Sequence, residues 1–334
     1  MNIDTSVVID FIVSTQNTDG SFDTYELYPV TRPDQDWQKL PDSSPFITAN
    51  IIYSLLQTDN PKAHECAQKA ARHLLTLTEH KAYWRFWPSK SYQHPIPIDT
   101  DDTSICSFVL SKLGYTIDNK KILTHNKNNK GYFKTWVTPN LKTFCSHPIL
   151  SLHFLMDCIK ALPTYFVKYL TYADCEPAVA ANVLLYLGSK NNQLCIHQII
   201  EQVRNNNMRL QYYYDEIMVY YHIARAYENG VSEFSVLAQT AAERIEKRWN
   251  ENSLQNNILL QLMSANVLLS FKYNIQLAEQ LVYAAQNSTS YPNKWQCLAY
   301  FSSENRNFLA GSPEFTAAQF AEAATKLNRL KDQG

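Results

Sequence analysis

Three carboxylates fall within four residues in the run Ile98-Asp99-Thr100-Asp101-Asp102-Thr103, which opens a helix predicted over 100–113. Capping accounts for part of this. Asp99 suits the N-cap, Asp102 suits the acidic third position, and acids in a first turn complement the helix dipole. One or two acids would serve that purpose, which leaves the third unexplained. Crowded carboxyl groups disfavour one another's ionisation, so at least one of them should hold its proton near neutral pH. The helix N-terminus in turn stabilises the carboxylate left when that proton departs. A neutral donor with a stabilised conjugate base is what protonation of a carbon–carbon double bond demands.

The second requirement of that chemistry is a surface that tolerates a carbocation without quenching it, and π faces provide one. Aromatic residues make up 13% of the chain and include 21 tyrosines, so their placement matters. They cluster in segments just before predicted helix starts. Trp37 precedes Ser44; Trp84, Phe86 and Trp87 precede Asp99; Trp136 precedes His147; Tyr212 to Tyr214 precede Asp215; and Trp295, Tyr300 and Phe301 precede Ser312.

The elements that must position these groups are helical. Apolar residues recur at helical spacing, as in Ile51, Ile52, Leu55, Leu56 and in Ile258, Leu259, Leu262, Val267, Leu268, and convincing strand alternation is absent. Helices are expected over 5–15, 44–57, 62–78, 100–113, 147–161, 163–172, 177–188, 193–205, 215–229, 234–250, 255–271, 275–287 and 314–327. Gly114, Gly188 and Gly230 stand just past three of them, where a C-terminal cap favours glycine. Ser44-Pro45 and Ser312-Pro313 begin matching Ser-Pro-x-x-Thr-Ala segments, and His147-Pro148 and Glu176-Pro177 also put proline at a first helical position. Starts near 44, 100, 147, 215, 255 and 314 fit an array of helix pairs. If those inner helices share one end, the aromatic loops ring one apolar mouth, which favours a closed barrel over an open solenoid.

Asp99-Thr100-Asp101-Asp102-Thr103 resembles the Asp-x-Asp-Asp-Thr motif of the class II terpene cyclases, the squalene–hopene cyclase-like superfamily. Gln16-Asn17-Thr18-Asp19-Gly20-Ser21-Phe22 resembles that superfamily's Gln-x-x-Asp-Gly-Ser segment, with Phe22 in place of tryptophan. The resemblance implies an all-α fold of (α/α)6 barrels. The helices here suffice for one barrel, a single domain over 1–334, where the family usually fuses two. It also implies that Asp101 is the proton donor, tuned and positioned by Asp99 and Asp102. Single-domain members acting on a farnesylated dihydroxybenzoic acid, with a merosterolic acid-type meroterpenoid product, are the nearest in build. Trp84, Phe86, Trp87, Trp136 and Trp295 are expected to line the substrate pocket, with His147 placed to hydrogen-bond the acids.

Other classes are poorly supported. Lys plus Arg number 30 against 31 Asp plus Glu, so no field exists to hold nucleic acid. Only 7 glycines argue against phosphate-cradling loops. Seven scattered cysteines indicate neither a disulfide framework nor a zinc ribbon. Magnesium-dependent loss of diphosphate would need further acidic ligands, and Ile105 stands where the next aspartate would be. No metal and no cofactor are therefore expected. The start Met1-Asn2-Ile3-Asp4 lacks a basic, apolar leader and no stretch is long enough to span a bilayer, so a cytoplasmic enzyme is expected, with peripheral membrane contact as one route to an apolar isoprenoid substrate. Three alternatives stay open: cyclisation of farnesyl or geranylgeranyl diphosphate, with Arg85, Lys90 and Lys134 as candidate anion contacts; carbohydrate processing by paired carboxyls; and a non-catalytic helical protein that binds an apolar ligand or peptide.

Overall fold

The computed structural model describes residues 2–28, 30, 36–88, 96–162, 175–288, 291–292, 294–303 and 306–333. They form fourteen described α-helices: α1 Ser6–Thr15, α2 Pro45–Leu55, α3 Pro61–Thr76, α4 Thr100–Lys112, α5 Lys120–His125, α6 Leu141–Ser146, α7 Pro148–Lys160, α8 Pro177–Leu187, α9 Gln193–Arg204, α10 Glu216–Glu228, α11 Ala238–Asn250, α12 Ile258–Phe271, α13 Ile275–Gln286 and α14 Pro313–Gln333. A 3-10 turn, Ser232–Leu237, leads into α11. The helix expected over 163–172 lies outside the described residues. Helix starts follow the predicted chemistry. Pro45, Pro177 and Pro313 each open a helix, and Asp99, Asp215 and Asn257 each accept a backbone N–H of the first turn.

Two kinds of helix differ in their faces. Every residue of α2 and α12 is buried, as are 177–186 of α8 and 217–226 of α10. Helices α3, α9 and α11 bury one stripe only; in α3 it is Ala63, Cys66, Ala67, Ala70, Ala71 and Leu74, while Lys62, Glu65 and Arg72 face water. The buried helices pack in succession: α2 on α4, α4 on α8, α8 on α10, α10 on α12, α12 on α14 and α14 on α2. The striped helices lie against them, with α3 on α2, α9 on α8, and α11 and α13 on α12.

This arrangement corrects one expected inner helix. The element starting at His147 is α7, whose Ile149, Leu152, Met156 and Ile159 are exposed, whereas α8 sits between α4 and α10. Apolar spacing alone does not say which helix the neighbours cover.

A second correction is a small antiparallel sheet where no strands were expected. Its order is β2 (Gln38–Lys39), β1 (Tyr25–Leu27), β4 (Leu309–Gly311), β3 (Ala299–Ser302), with Tyr25 opposite Lys39 on one side and Gly311 on the other. Strands of two to four residues are too short to show alternation. The sheet joins the segments that lead into α2 and α14. Gly20 closes the preceding turn with φ +96°, and a Cβ there would stand 2.4 Å from the Lys69 carbonyl oxygen.

Candidate active site

The acid run begins where Asp99 pairs with Trp136 in an isolated β-bridge and Thr100 N–H donates to the Thr135 carbonyl at 2.8 Å. Asp99 is the N-cap of α4, its Oδ1 accepting the Asp101 N–H at 2.6 Å. Capping is therefore real, yet it does not exhaust the run. All three acids are buried, with exposures of 4%, 3% and 2% for Asp99, Asp101 and Asp102. No cap requires a carboxyl so deep.

The three differ in what surrounds them. Asp101 Oδ1 accepts from Asn182 Nδ2 at 2.5 Å and its Oδ2 accepts from the Tyr213 hydroxyl. Asp102 Oδ2 is buried and has no hydrogen-bond partner among the described residues. Burial pushes all three upward in pKa. For Asp101 the rise stops at about 6, because the Tyr213 and Asn182 donors and the charge of Arg225 favour its carboxylate. Asp99, burdened next by the charge of Asp101, and Asp102, burdened next by Asp99 and Asp101, rise well beyond the usual carboxylate range. The hydrogen bonds of Tyr213 and Asn182 thus favour the carboxylate of Asp101, while burial favours the protonated form of all three.

The segments before the buried helices meet around it. The Glu176 carboxylate, just ahead of α8, accepts backbone N–H groups of Gln211, Tyr212 and Tyr213 at 3.2, 2.9 and 3.2 Å. Ser302 N–H donates to the Tyr212 carbonyl at 2.8 Å, and Asn257 Nδ2 reaches the Tyr214 hydroxyl at 3.3 Å. Burial raises the Glu176 pKa to about 8, opposed by those three N–H donors. Its role is to hold the Tyr213 backbone, and so the hydroxyl on Asp101.

Aromatic rings continue from Tyr213. Phe46 at the start of α2 lies 6.4 Å from Tyr213, 5.5 Å from Tyr300 and 6.1 Å from Phe86 between ring centroids. Phe86 stacks on Phe301 at 4.7 Å and meets Trp87 at 5.3 Å, while Tyr212 stacks on Phe301 at 5.8 Å and meets Trp136 edge-on at 5.9 Å. Of the expected pocket residues, Phe86, Trp87 and Trp136 belong to this contiguous group.

Trp84, Trp295 and His147 do not. Trp84 is fully buried, its indole N–H tied to the Leu74 carbonyl at 2.9 Å beside α3. Trp295 packs on Tyr291 and Phe320 and bonds the Pro292 carbonyl at 2.8 Å. The His147 ring meets Ser146 Oγ at 2.9 Å. The histidine near the acids is His222 on α10, 3.0 Å from Asn182 Oδ1, and burial followed by the Arg225 charge holds it neutral. The expected anion contacts are engaged or outside the described residues: Arg85 pairs with Glu79, Lys134 donates to Thr138 at 2.9 Å, and Lys90 is not described.

Among the described residues, one group offers three metal-type ligands, Glu79, His80 and Asp157. The Arg85 guanidinium already engages Glu79 and lies 3.4 Å from Asp157, which compensates both carboxylates and anchors the turn before Trp84. An open depression of about 370 Å³ beside Asn17, Asp19, Asp23, Lys39 and His73 is polar and has no phenylalanine, tyrosine or tryptophan among the described residues of its wall. No described helix is long and apolar enough to cross a membrane. Comparison with protein-family models and with curated proteins finds no match for this chain.

Proposed function

We propose that the chain is a class II terpene cyclase, a single (α/α)6 barrel in which Asp101 protonates the terminal double bond of a prenyl chain. The observation that carries this reading is the union of two features: a buried acid cluster at a helix N-terminus, and an aromatic group continuous with its central member through Tyr213. The succession of buried helices from α2 round to α14 and back to α2 supports the barrel.

In this mechanism the Asp101 proton passes to the alkene carbon that leaves a tertiary cation, the π electrons of the next double bond close the ring, the final cation loses a proton to give an isomer of the substrate, and solvent returns a proton to Asp101. Asp101 becomes a carboxylate held by Tyr213 and Asn182. Donors already aimed at the developing charge lower the barrier without reorganising. Burial favours the protonated Asp101 before the step, Asp99 and Asp102 hold their protons beside it, and the aromatic group of Phe46, Phe86, Tyr300 and Phe301 supplies the π electrons that stabilise the cation. No metal enters the step. The substrate we favour is a farnesylated dihydroxybenzoic acid, with farnesyl or geranylgeranyl diphosphate as the alternative, met in the cytoplasm or at a membrane surface.

The test is product analysis by mass spectrometry after incubation with each of these substrates. A cyclic isomer of one of them, formed by wild type and not by Asp101→Asn, is expected. Tight binding of the prenyl compounds without conversion would instead favour a carrier, which has use for the aromatic group and none for three buried acids.

A further inference from the structure

Arg225, on α10, is fully buried, and among the described residues no carboxylate lies within ion-pair distance of its guanidinium. The rings of Tyr53 and Tyr221 stand 4.7 Å from it on their faces. Its hydrogen bonds run to neutral acceptors: Asn182 Oδ1 at 2.5 Å, His222 Nδ1 at 2.6 Å and Asn50 Oδ1 at 2.7 Å.

A guanidinium only donates, so each acceptor's orientation follows from it. The Asn182 oxygen must face Arg225, which turns its NH2 toward Asp101 Oδ1 at 2.5 Å. With Nδ1 accepting from Arg225, His222 carries its hydrogen on Nε2 and donates to the Tyr300 oxygen at 3.2 Å, and the 3.0 Å approach of Nδ1 to Asn182 Oδ1 is a contact between two acceptors that share one guanidinium nitrogen. The Tyr300 hydroxyl then donates to Asn50 Oδ1 at 3.1 Å. One buried cation thus orients both amides, Asn182 and Asn50.

We propose that Arg225 is the positioning residue of the Asp101 acid, acting through Asn182 to present an N–H donor and to supply the counter-charge for the carboxylate formed when the proton leaves. This rests on reading Asp101 as the proton donor. Before transfer no carboxylate among the described residues pairs with Arg225; afterwards Asp101 is one amide away. The interaction is therefore stronger once charge has moved than before, which is the condition for raising kcat. Among the described residues, the other titratable groups around Asp101 do not supply a cation. Asp99, Asp102 and Cys106 share its helix, Glu176 approaches from the start of α8, Tyr213 and Tyr300 come from the loops, and His222 is neutral.

The test follows the Asp101 carboxyl itself by infrared titration of the full chain, its band assigned by subtracting the Asp101→Asn spectrum. Asn182→Asp keeps size and the Arg225 contact but places beside Asp101 a carboxylate that neutralises the Arg225 charge and removes the N–H donor. It should move the titration upward by at least about one pH unit, as should Arg225→Gln, since an opposite charge nearby is worth roughly that much or more. Arg225→Lys should shift it less. The kcat should fall in the same order with KM within about twofold, as expected for an interaction made only in the transition state. If Arg225→Gln does not fold, the isosteric Asn182→Asp decides. An unmoved titration in folded Asn182→Asp overturns the proposal. Absence of cyclisation by wild type would refute the cyclase reading alone, because the titration is read without turnover.

Discussion

Replacing Asp101 by asparagine should make the protein more stable at neutral pH, and the size of the gain follows from the burial of the carboxyl. Its pKa rises from 3.8 to about 6 on folding. A group whose pKa is raised in the folded state contributes stability that is fully present below the unfolded value and is lost as pH rises through the folded one. The window here runs from about pH 4 to about pH 6. At about 1.4 kcal/mol per pH unit, wild type gives up roughly 3 kcal/mol across it that an amide cannot lose. Urea denaturation of both proteins at pH 4 and pH 7.5 separates this from constant effects, such as the poorer fit of an amide NH2 facing Asn182 and Tyr213. The stability difference should move toward the variant by about 3 kcal/mol between the two pH values. Asp99 and Asp102 titrate in both proteins, and because the Asp101 charge helps to raise each of them, the variant relieves them and the difference moves further in the same direction. Parallel stability curves would refute the reasoning, since Asp101 would then carry no folding-linked proton.

Three further outcomes follow. If Asp101 is the donor, cyclisation should decline as pH rises through about 6 in a profile of kcat/KM, which reports the free protein; a decline only far above that would assign the proton to Asp99 or Asp102, which hold theirs more tightly. Tyr213→Phe keeps the ring against Phe46 but removes the donor on Asp101 Oδ2. With about 1.5–3 kcal/mol for a hydrogen bond to a charged group, kcat should drop roughly 10- to 150-fold in a variant shown to be folded by circular dichroism. Gly20→Ala should destabilise by about 1–3 kcal/mol, measured by chemical denaturation, because φ is +96° and the new Cβ meets the Lys69 carbonyl.

Helix identity was largely legible in the chain because proline starts, Asx caps and apolar spacing are local signals. Expected spans such as 100–113 and 193–205 stand within a residue or two of α4 and α9. What spacing did not reveal is which face a neighbour covers, and this is why α7 took the place of α8 among the expected inner helices. The acid run was legible for the same local reason, since its members share one turn. Its partners come from elsewhere in the chain: Asn182 lies 81 residues on and Tyr213 112. A usable signal did exist for them. Asn182 interrupts the otherwise apolar Pro177–Leu187, and His222 with Arg225 stands three residues apart within α10, where ten successive residues are buried. Polar side chains at such positions must find partners, and they find one another. Trp84 and Trp295 show the converse: a tryptophan in a loop before a helix is as readily core as pocket, and their indole N–H groups bond nearby carbonyls.

The central claim is that a proton from Asp101 becomes bonded to carbon, and turnover in deuterium oxide tests it most directly. A carboxyl donor exchanges with solvent between turnovers, so wild type should convert a farnesylated dihydroxybenzoic acid, or a prenyl diphosphate, into a cyclic product carrying a single carbon-bound deuterium on the ring carbon next to the quaternary centre. Folded Asp101→Asn should yield no such product. A cyclic product without deuterium, or deuterated product from Asp101→Asn at the wild-type rate, would contradict the assignment of Asp101 as the acid.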